Sequence, residues 1–502
     1  MVGACAAADD RRMKVLSGID GSFLHLETAH APMHVGSLNL FDPGRGSASH
    51  LAAALTRQAE GRLHLAPIFR RRLARMPLDL ANPAWVHDDA IDLHYHVQRL
   101  TLPHPGTLAQ LEDCVARLHA QPLDRERPLW RMVVIDGLES GQVGLYFQVH
   151  HAVLDGQAGI LLAHALWDPT PKRRAIARPV AAEPAEHPGA GALAAAALRH
   201  DGAQLLQWVR HLPDTVRALA GVAAAAAGPA RAGLGGNFAF GPKTPLNVPI
   251  TAERSYAVSS LPLEALKQIA KAHDAKLNDV VLALCSGTLR RWLDRHGGVP
   301  DKPLIAAMPI SLRAPGDGEY TTQATMTLVS LETQIDDALQ RLRAIRDASA
   351  AAKALAQRAR GIMPTDFPTI GIAPVMHAVA SLYEWSHLAG ATDPIANVVV
   401  SNVAGPPTPL YAAGARMSAY WPLSIVEHGL ALNLTVVSYA GSMGFGFTCA
   451  RNAVPDAREL AQALAASFDE LVHDTHSRPP AAKPPKPASA RRTTRTTHRA
   501  ST

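Results

Sequence analysis

Cysteine is scarce in this sequence. The 502-residue chain contains only Cys5, Cys114, Cys285 and Cys449, and none of these is spaced like the ligands of a metal site. Four scattered cysteines also do not make a disulfide framework. The cysteine content therefore excludes a thiolate metal domain and a disulfide-stapled fold, and it predicts a reduced cytoplasmic protein.

Long hydrophobic runs are absent too. No uninterrupted apolar stretch is long enough to cross a bilayer. The opening MVGACAAADDRRMK is not a signal peptide, because its apolar part is short and acidic residues follow it at once. Apolar residues still make up 47% of the chain and charged residues 18%. This is a globular composition, and at this length we expect two domains.

Acidic residues are missing from the C-terminal segment, residues 478–502, which contains seven Lys or Arg. The net charge of the whole chain is +6, so the rest of the chain is close to neutral. The segment is Pro-rich and lacks large apolar residues, which predicts disorder. It is either a solubilising tail or a basic segment that contacts anionic lipid; we expect no specific nucleic-acid partner.

Changes in composition divide the rest of the chain into three parts. Residues 1–167 mix strand-like and helical runs and form a predicted N-terminal domain. Residues 168–242 begin Pro-rich and become Ala-rich, which we interpret as a linker with crossover helices. Residues 243–477 form a predicted second α/β domain.

The Ala-rich part of the linker has apolar residues such as Leu205, Val209 and Leu212 at helical spacing. Pro213 lies inside this pattern, and since proline interrupts helices we predict two helices rather than one. The segment packs across the protein or lies on a membrane surface, where Trp208 suits the interface.

The sequence VHHAVLDGQAG, residues 149–159, places two histidines at the end of an alternating apolar run. In a strand, Leu145, Phe147, Val149 and His151 face one way, and His150 faces the other. Adjacent histidines that diverge in this way cannot chelate one metal ion, and no cluster of further ligands lies nearby in the sequence. We therefore expect no metal here.

His151 is then either a buried histidine with satisfied ring nitrogens or a base. A neutral imidazole accepts a proton readily at cellular pH. Asp155 follows four residues later, and Gly156 permits a tight turn. No GxSxG elbow accompanies the pair. A histidine base without a protein nucleophile indicates that the substrate supplies the attacking group.

Several stretches in one order identify a family. The segment HHAVLDG resembles the HHxxxDG motif of CoA-dependent acyltransferases. The stretches LSGIDGSFLHLET, LDRERPLW, KLNDVV, MPISLR and VVVSNVAGPPTPLY narrow the resemblance to bacterial wax ester synthase/diacylglycerol acyltransferases, over residues 16–471. The resemblance implies an α/β (α+β) fold of two chloramphenicol-acetyltransferase-like domains. Each is a mixed sheet with helices, and an active-site channel lies at their interface.

The resemblance also implies a reaction. A long-chain acyl group moves from acyl-CoA, a co-substrate, to a fatty alcohol or diacylglycerol, with no other cofactor. His151 deprotonates the acceptor hydroxyl, which attacks the thioester directly. Asn278, in the Asn-Asp pair, is the expected oxyanion donor. Because Asn is also a favoured N-cap, the alternative is that Asn278 caps the helix that follows, and one residue can do both.

Other motif residues are expected to support the site. His150 packs or hydrogen-bonds away from the channel. Asp155 is architectural and pairs with a basic residue, for which Arg313 is the candidate, and Gly156 serves the turn. Asn402 and Gly405 are expected to shape the channel wall of the second domain.

One departure from the family pattern follows the SLR motif. The family carries a Gly-Asn pair there, whereas this chain has Thr322 or Gln323 where the asparagine would fall. If the family asparagine binds substrate or fixes the domain interface, the acceptor preference of this chain differs, with the base motif intact.

Two alternatives remain at this level. Condensation domains of peptide synthetases and polyketide-associated acyltransferases share HHxxxDG, although no carrier-protein module is seen here. An idle family member that binds acyl chains or coats lipid droplets is a non-enzymatic alternative. Contact with a membrane or lipid droplet, through the basic tail or the crossover helix, fits either an enzyme or a binding protein.

Removal of residues 478–502 tests whether the basic tail takes part in catalysis. We expect the truncated protein to synthesise ester from soluble substrates at a rate within about twofold of the full chain, because the tail carries no motif residue. A steady-state assay of the two proteins measures this. A loss of activity in the truncated protein would mean that the tail belongs to the site.

Overall fold

The structure is a computed structural model that describes residues 13–44, 46–154, 156–177, 188–227, 240–311, 324–358, 366, 368–386 and 388–477. Asp155, Arg313, Thr322 and Gln323 lie outside these residues. So does the tail, and the predictions made for these positions stay predictions.

Two six-stranded sheets contain most of the strands. The strands are β1 (Lys14–Val15), β2 (His34–Asp42), β3 (Arg71–Ala74), β4 (Ala84–His87), β5 (Val97–Thr101), β6 (Trp130–Asp136), β7 (Val143–His150), β8 (Arg254–Pro262), β9 (Ile305–Ser311), β10 (Ala324–Ser330), β11 (Val398–Val403), β12 (Tyr411–Ala412), β13 (Ala415–Leu423), β14 (Leu432–Tyr439) and β15 (Ser442–Ala450).

The helices lie between and beside these sheets. They are α1 (Gly18–Leu26), α2 (Ala48–Glu60), α3 (Leu93–His96), α4 (Leu108–His119), α5 (Gly156–Leu166), α6 (Ala190–Ala227), α7 (Leu263–Ala272), α8 (Leu277–Arg295), α9 (Ala338–Arg358), α10 (Ile372–Ser386), α11 (Leu388–Ala391) and α12 (Arg458–Ser477).

The first sheet has the order β12-β13-β2-β7-β6-β5. The pair β5–β6 is parallel and the other pairs are antiparallel, so the sheet is mixed. β6 and β7 form an antiparallel hairpin, and the turn between them contains Gly137 and Gly141 at positive φ. Trp130 at the start of β6 is fully buried in the core.

The second sheet has the order β10-β9-β11-β14-β15-β8 and is also mixed, since β11 runs parallel to both β9 and β14. Helix α8 is buried along most of its length in the core on this sheet. Its high content of Val, Leu and Ala on all sides explains this central position. A third, three-stranded sheet has the order β1-β4-β3.

The C-terminal half of the chain contributes two strands to the N-terminal sheet. β12 and β13 come from the C-terminal half, but β13 pairs antiparallel with β2 of the N-terminal half, from Arg416 opposite Asp42 to Leu423 opposite Gly36. The sequence boundary near residue 243 does not anticipate this pairing. The pairing extends the N-terminal sheet with C-terminal residues and ties the two halves together.

The two-helix prediction for the crossover segment is wrong. α6 runs as one helix of 38 residues, Ala190–Ala227, through Pro213. A proline removes one backbone hydrogen bond, and the Ala-rich sequence around it has high helix propensity, so the helix continues. Near its start Leu193 and Ala197 are buried, whereas Leu205 and Val209 are exposed.

The close approach of β15 to β13 can be tested by substituting Gly446. A Cβ at this position would overlap the carbonyl oxygen of Pro422 in β13, so Gly446→Ala forces the two strands apart. We expect a loss of about 1–3 kcal/mol in the free energy of unfolding. Urea unfolding measures it. In the control, Gly202→Ala in α6, no atom approaches the new methyl group, so unchanged or slightly increased stability is expected. Equal effects of both substitutions would contradict the close approach.

Candidate active site

The two faces of β7 have different surroundings, as the alternating sequence predicts. Leu145, Phe147 and Val149 line an apolar cavity together with His151, the first residue after the strand. His150 faces the other way and is 1% exposed. The pleat of the strand therefore separates the two histidines, and His151 is the one that reaches a cavity.

The position of His151 is fixed by its backbone and its ring. The His151 N–H donates a hydrogen bond to the Met33 carbonyl oxygen at 2.8 Å. The imidazole ring stacks on the ring of Phe23, with centroids 4.0 Å apart and planes 20° apart. Phe23 belongs to α1. Its stretch of sequence carries the family resemblance, but the sequence assigned no role to this residue.

Two cavities meet at His151. The smaller, of about 130 Å³, lies between α5 and the N-terminal sheet. The larger, of about 780 Å³, is lined by the C-terminal half, apart from Ile19, Phe23 and His151. Ser401 and Ser424 line both cavities, as does His151. The imidazole therefore stands at the junction of an apolar slot and a wider chamber.

Behind β7, His150 belongs to a buried polar cluster centred on Glu27. The His150 Nε2 atom lies 3.4 Å from Glu27 Oε1, and the His34 Nε2 atom lies at the same distance. Burial by itself raises the pKa of Glu27, but the contacts with the two histidines outweigh it and hold this pKa well below its usual range. Burial lowers the pKa of His150, with the Glu27 contact opposing it. These shifts favour a neutral His150 ring beside an ionised Glu27 carboxylate.

The same face of β7 reaches into the C-terminal half. The hydroxyl of Tyr146 lies 2.8 Å from His119 Nδ1, and His119 Nε2 lies 3.1 Å from the Ser424 carbonyl oxygen. Burial, followed by repulsion from His34, lowers the pKa of His119 to about 3. A neutral His119 that donates from Nε2 thus anchors Ser424, which lines both cavities.

Asn278 is not the N-cap of α8, so the structural alternative for this residue is wrong. Lys276 occupies that position, and its N–H donates to Asp279 Oδ2 at 2.8 Å. Asp279 supplies the capping oxygen, so Asn278 falls inside the first turn. The Asn402 amide donates to Asn278 Oδ1 at 3.2 Å, and Asn402 lines the larger cavity. The structure therefore brings the two predicted asparagines together.

Gly156 and Gly405 are explained by the backbone around them. Gly156 begins α5 rather than lying in the preceding turn. Gly405 lies against β14, where an added Cβ would overlap the Ser438 carbonyl oxygen, and its N–H donates to Ser438 Oγ at 3.2 Å. Gly405 is not among the residues that line the two cavities described above. The close approach of the backbone accounts for this glycine.

A second histidine cluster lies beside the larger cavity. His30, Glu384 and His428 present nitrogen and oxygen atoms within 4.8 Å of one another. The Ile250 N–H donates to His428 Nδ1 at 3.1 Å, which leaves the proton of the neutral ring on Nε2, facing Glu384. A histidine that ligates a metal instead donates from its other nitrogen. The arrangement fits a hydrogen-bonded cluster better than a metal site.

A mixed two-sheet fold with a histidine at a junction of cavities is compatible with an acyltransferase of the HHxxxDG class. Comparison with known proteins gives the family. The family model for the wax ester synthase/diacylglycerol acyltransferase catalytic domain matches residues 16–281, and the model for the C-terminal domain of the same family matches residues 322–472. The chain belongs to this family, which confirms the resemblance found in the sequence.

Individual relatives agree with this assignment. A Mycobacterium tuberculosis protein named as a diacylglycerol O-acyltransferase is 35% identical over 469 residues, which cover 91% of this chain and 99% of the relative. Another from that species, named tgs2, is 33% identical over 478 residues, with the same coverage.

Solved structures agree as well. The wax ester synthase/diacylglycerol acyltransferase of Marinobacter aquaeolei VT8 has a TM-score of 0.66 and 28% identity, covering 92% of this chain and 100% of that one. The first condensation domain of the calcium-dependent antibiotic synthetase has a TM-score of 0.52 and 17% identity, covering 92% and 96%, and shares the fold alone.

Proposed function

We propose that the protein transfers a long-chain acyl group from acyl-CoA to the hydroxyl of a fatty alcohol or a diacylglycerol, with His151 as the general base. The observation that carries this proposal is the position of the His151 ring at the junction of two cavities. Two substrates that enter from different sides meet at such a junction. The products are wax esters or triacylglycerol, and no cofactor beyond the co-substrate is required.

In the proposed reaction, a ring nitrogen of His151 takes the proton of the acceptor hydroxyl as the oxygen attacks the thioester carbonyl. The tetrahedral intermediate then breaks its carbon–sulfur bond. The imidazolium returns the proton to the CoA thiolate, so the histidine ends neutral. No covalent acyl-enzyme is needed.

Cysteine nucleophiles are disfavoured by their surroundings. Cys114, Cys285 and Cys449 are buried, and none of them lines the two cavities. Burial raises the pKa of each thiol, to about 12 for Cys285. A thiolate is therefore scarce at neutral pH.

The oxyanion of the intermediate requires a hydrogen-bond donor. We assign this role to the Asn278–Asn402 pair rather than to Asn278 alone. One amide hydrogen of Asn402 is used toward Asn278, and the second is available at the wall of the larger cavity. Asn278 then orients the amide that contacts the substrate.

A lipid surface is the proposed source of the acceptor. Leu205, Leu206 and Val209 of α6 are 51–61% exposed. On α10, Val375, Val379, Leu382 and Trp385 form a second exposed apolar stripe. Such surfaces suit peripheral contact with a membrane or lipid droplet. Among the described residues, no helix has the length and apolarity needed to span a membrane.

Replacement of His151 tests the base. We expect His151→Ala to lower kcat by about 10²–10⁴-fold, because general base assistance contributes this much. The assay supplies palmitoyl-CoA with hexadecanol and a diacylglycerol in competition, and it measures both esters. His164→Ala, an exposed histidine on α5, is the control and should keep full activity. Ester synthesis by His151→Ala at the wild-type rate would refute the proposed base.

The apolar slot is proposed to hold the alkyl chain of one substrate. Ile160 lines this slot, whereas its neighbour Leu161 is exposed. We expect Ile160→Trp to shorten the preferred chain of that substrate, because the larger side chain fills the slot, and Leu161→Trp to leave the preference unchanged.

The chain lengths of acyl-CoA and alcohol are varied separately in this measurement, so the substrate whose optimum shifts is the one that occupies the slot. Unchanged optima for both substrates in Ile160→Trp would show that the slot holds neither chain.

A further inference from the structure

Glu27 is a buried carboxylate close to the proposed base. It lies in the family stretch LSGIDGSFLHLET, to which the resemblance assigned no role. It follows directly after α1, and its side chain is 8% exposed. The sequence separates it from the histidine pair by more than a hundred residues. The fold nevertheless places it against the end of β7.

The two oxygens of Glu27 have different partners. Oε1 accepts the Met33 N–H at 3.0 Å and lies 3.4 Å from Nε2 of both His34 and His150. Oε2 accepts from Arg125, with Nη2 at 2.7 Å and Nε at 3.1 Å. One oxygen thus faces the histidine cluster, and the other is held by a guanidinium group.

The His150 ring is fixed in one tautomer by this arrangement. The Ala152 N–H donates to His150 Nδ1 at 3.1 Å, so the proton of the neutral ring is on Nε2, which faces Glu27. The His150 ring is therefore hydrogen-bonded to the turn that follows β7 on one side, and on the other side it faces the Glu27 carboxylate at 3.4 Å.

Met33 provides a second connection. Its N–H donates to Glu27, and its carbonyl oxygen accepts the N–H of His151. Glu27 therefore reaches His151 by two routes, through the backbone of Met33 and through the side chain of the preceding His150. The ring of His151 also stacks on Phe23, which belongs to the helix that ends just before Glu27.

We propose that Glu27 is a positioning residue for His151, holding the turn after β7 so that the imidazole stands at the junction of the two cavities. This inference rests on the proposed function, in which His151 is the base. Glu27 does not contact substrate in this account. It acts through His150 and Met33, in the way that outer partners orient catalytic groups.

Substitution of Glu27 should be tolerated by the fold. Burial lowers the pKa of His150, and without Glu27 nothing opposes this shift at that contact. Arg125 is 35% exposed, so it can turn to solvent. No buried charge is left behind, which is the usual cause of severe destabilisation.

The test compares Glu27→Ala and Glu27→Gln with wild type. We expect Glu27→Ala to lower kcat by about 10- to 100-fold, with the KM for palmitoyl-CoA changed less than about twofold, since misplacement of a catalytic group costs rate rather than binding. Glu27→Gln keeps an oxygen for the Met33 N–H and should recover part of the loss. Urea unfolding gives the folded fraction of each variant.

Glu112→Gln is the matched control. Glu112 is also buried, accepts a backbone N–H (Val258, 2.9 Å) and lies 3.7 Å from Arg458, but it does not contact the histidine cluster. Its substitution should leave kcat unchanged. A wild-type kcat in Glu27→Ala, or equal losses of kcat in the Glu27 and Glu112 variants, would overturn the proposal.

A double variant separates this inference from the proposed function. If Glu27 acts through His151, Glu27→Ala should not lower the residual rate of His151→Ala any further. A further loss of the same size as in the wild-type background would mean that Glu27 acts independently of the base. If His151→Ala alone retains full activity, the proposed function fails first, and this is seen without any Glu27 variant.

Discussion

The pleat of one strand is the constraint on which the site depends. Because successive side chains of β7 point to opposite faces, His150 and His151 cannot share surroundings. One enters a buried polar cluster with Glu27, and the other reaches the junction of two cavities. This geometry argues against a metal site shared by the two histidines. It also gives each histidine a separate role.

The second requirement is that two halves of the chain meet at this strand end. The β13–β2 pairing places Ser424, just beyond β13, beside both cavities, and His119 of the N-terminal half holds the Ser424 carbonyl oxygen. The narrow apolar slot belongs mainly to the first half and the wide chamber mainly to the second. Two substrates that enter separately would therefore meet beside the imidazole, where the two cavities share their lining.

Much of this could be predicted from the sequence where the signal is local. Alternation along β7 gave the faces of His150 and His151, and the family motifs gave the two-sheet fold. The sequence could not give the pairing of β13 with β2 or the contacts of Glu27, because both join residues that are far apart in the chain. The N-cap alternative for Asn278 was wrong, because Lys276 is the N-cap and Asp279 supplies the capping oxygen. Pro213 was misjudged because a single lost hydrogen bond does not end an Ala-rich helix.

The most direct measurement of the central claim is a crystal structure of the protein with hexadecanol and a thioether analogue of palmitoyl-CoA that cannot react. The account predicts that the alcohol oxygen lies within about 2.6–3.2 Å of a ring nitrogen of His151, with the two alkyl chains in different cavities. An alcohol oxygen bound beyond reach of that ring, with both chains in one cavity, would contradict it.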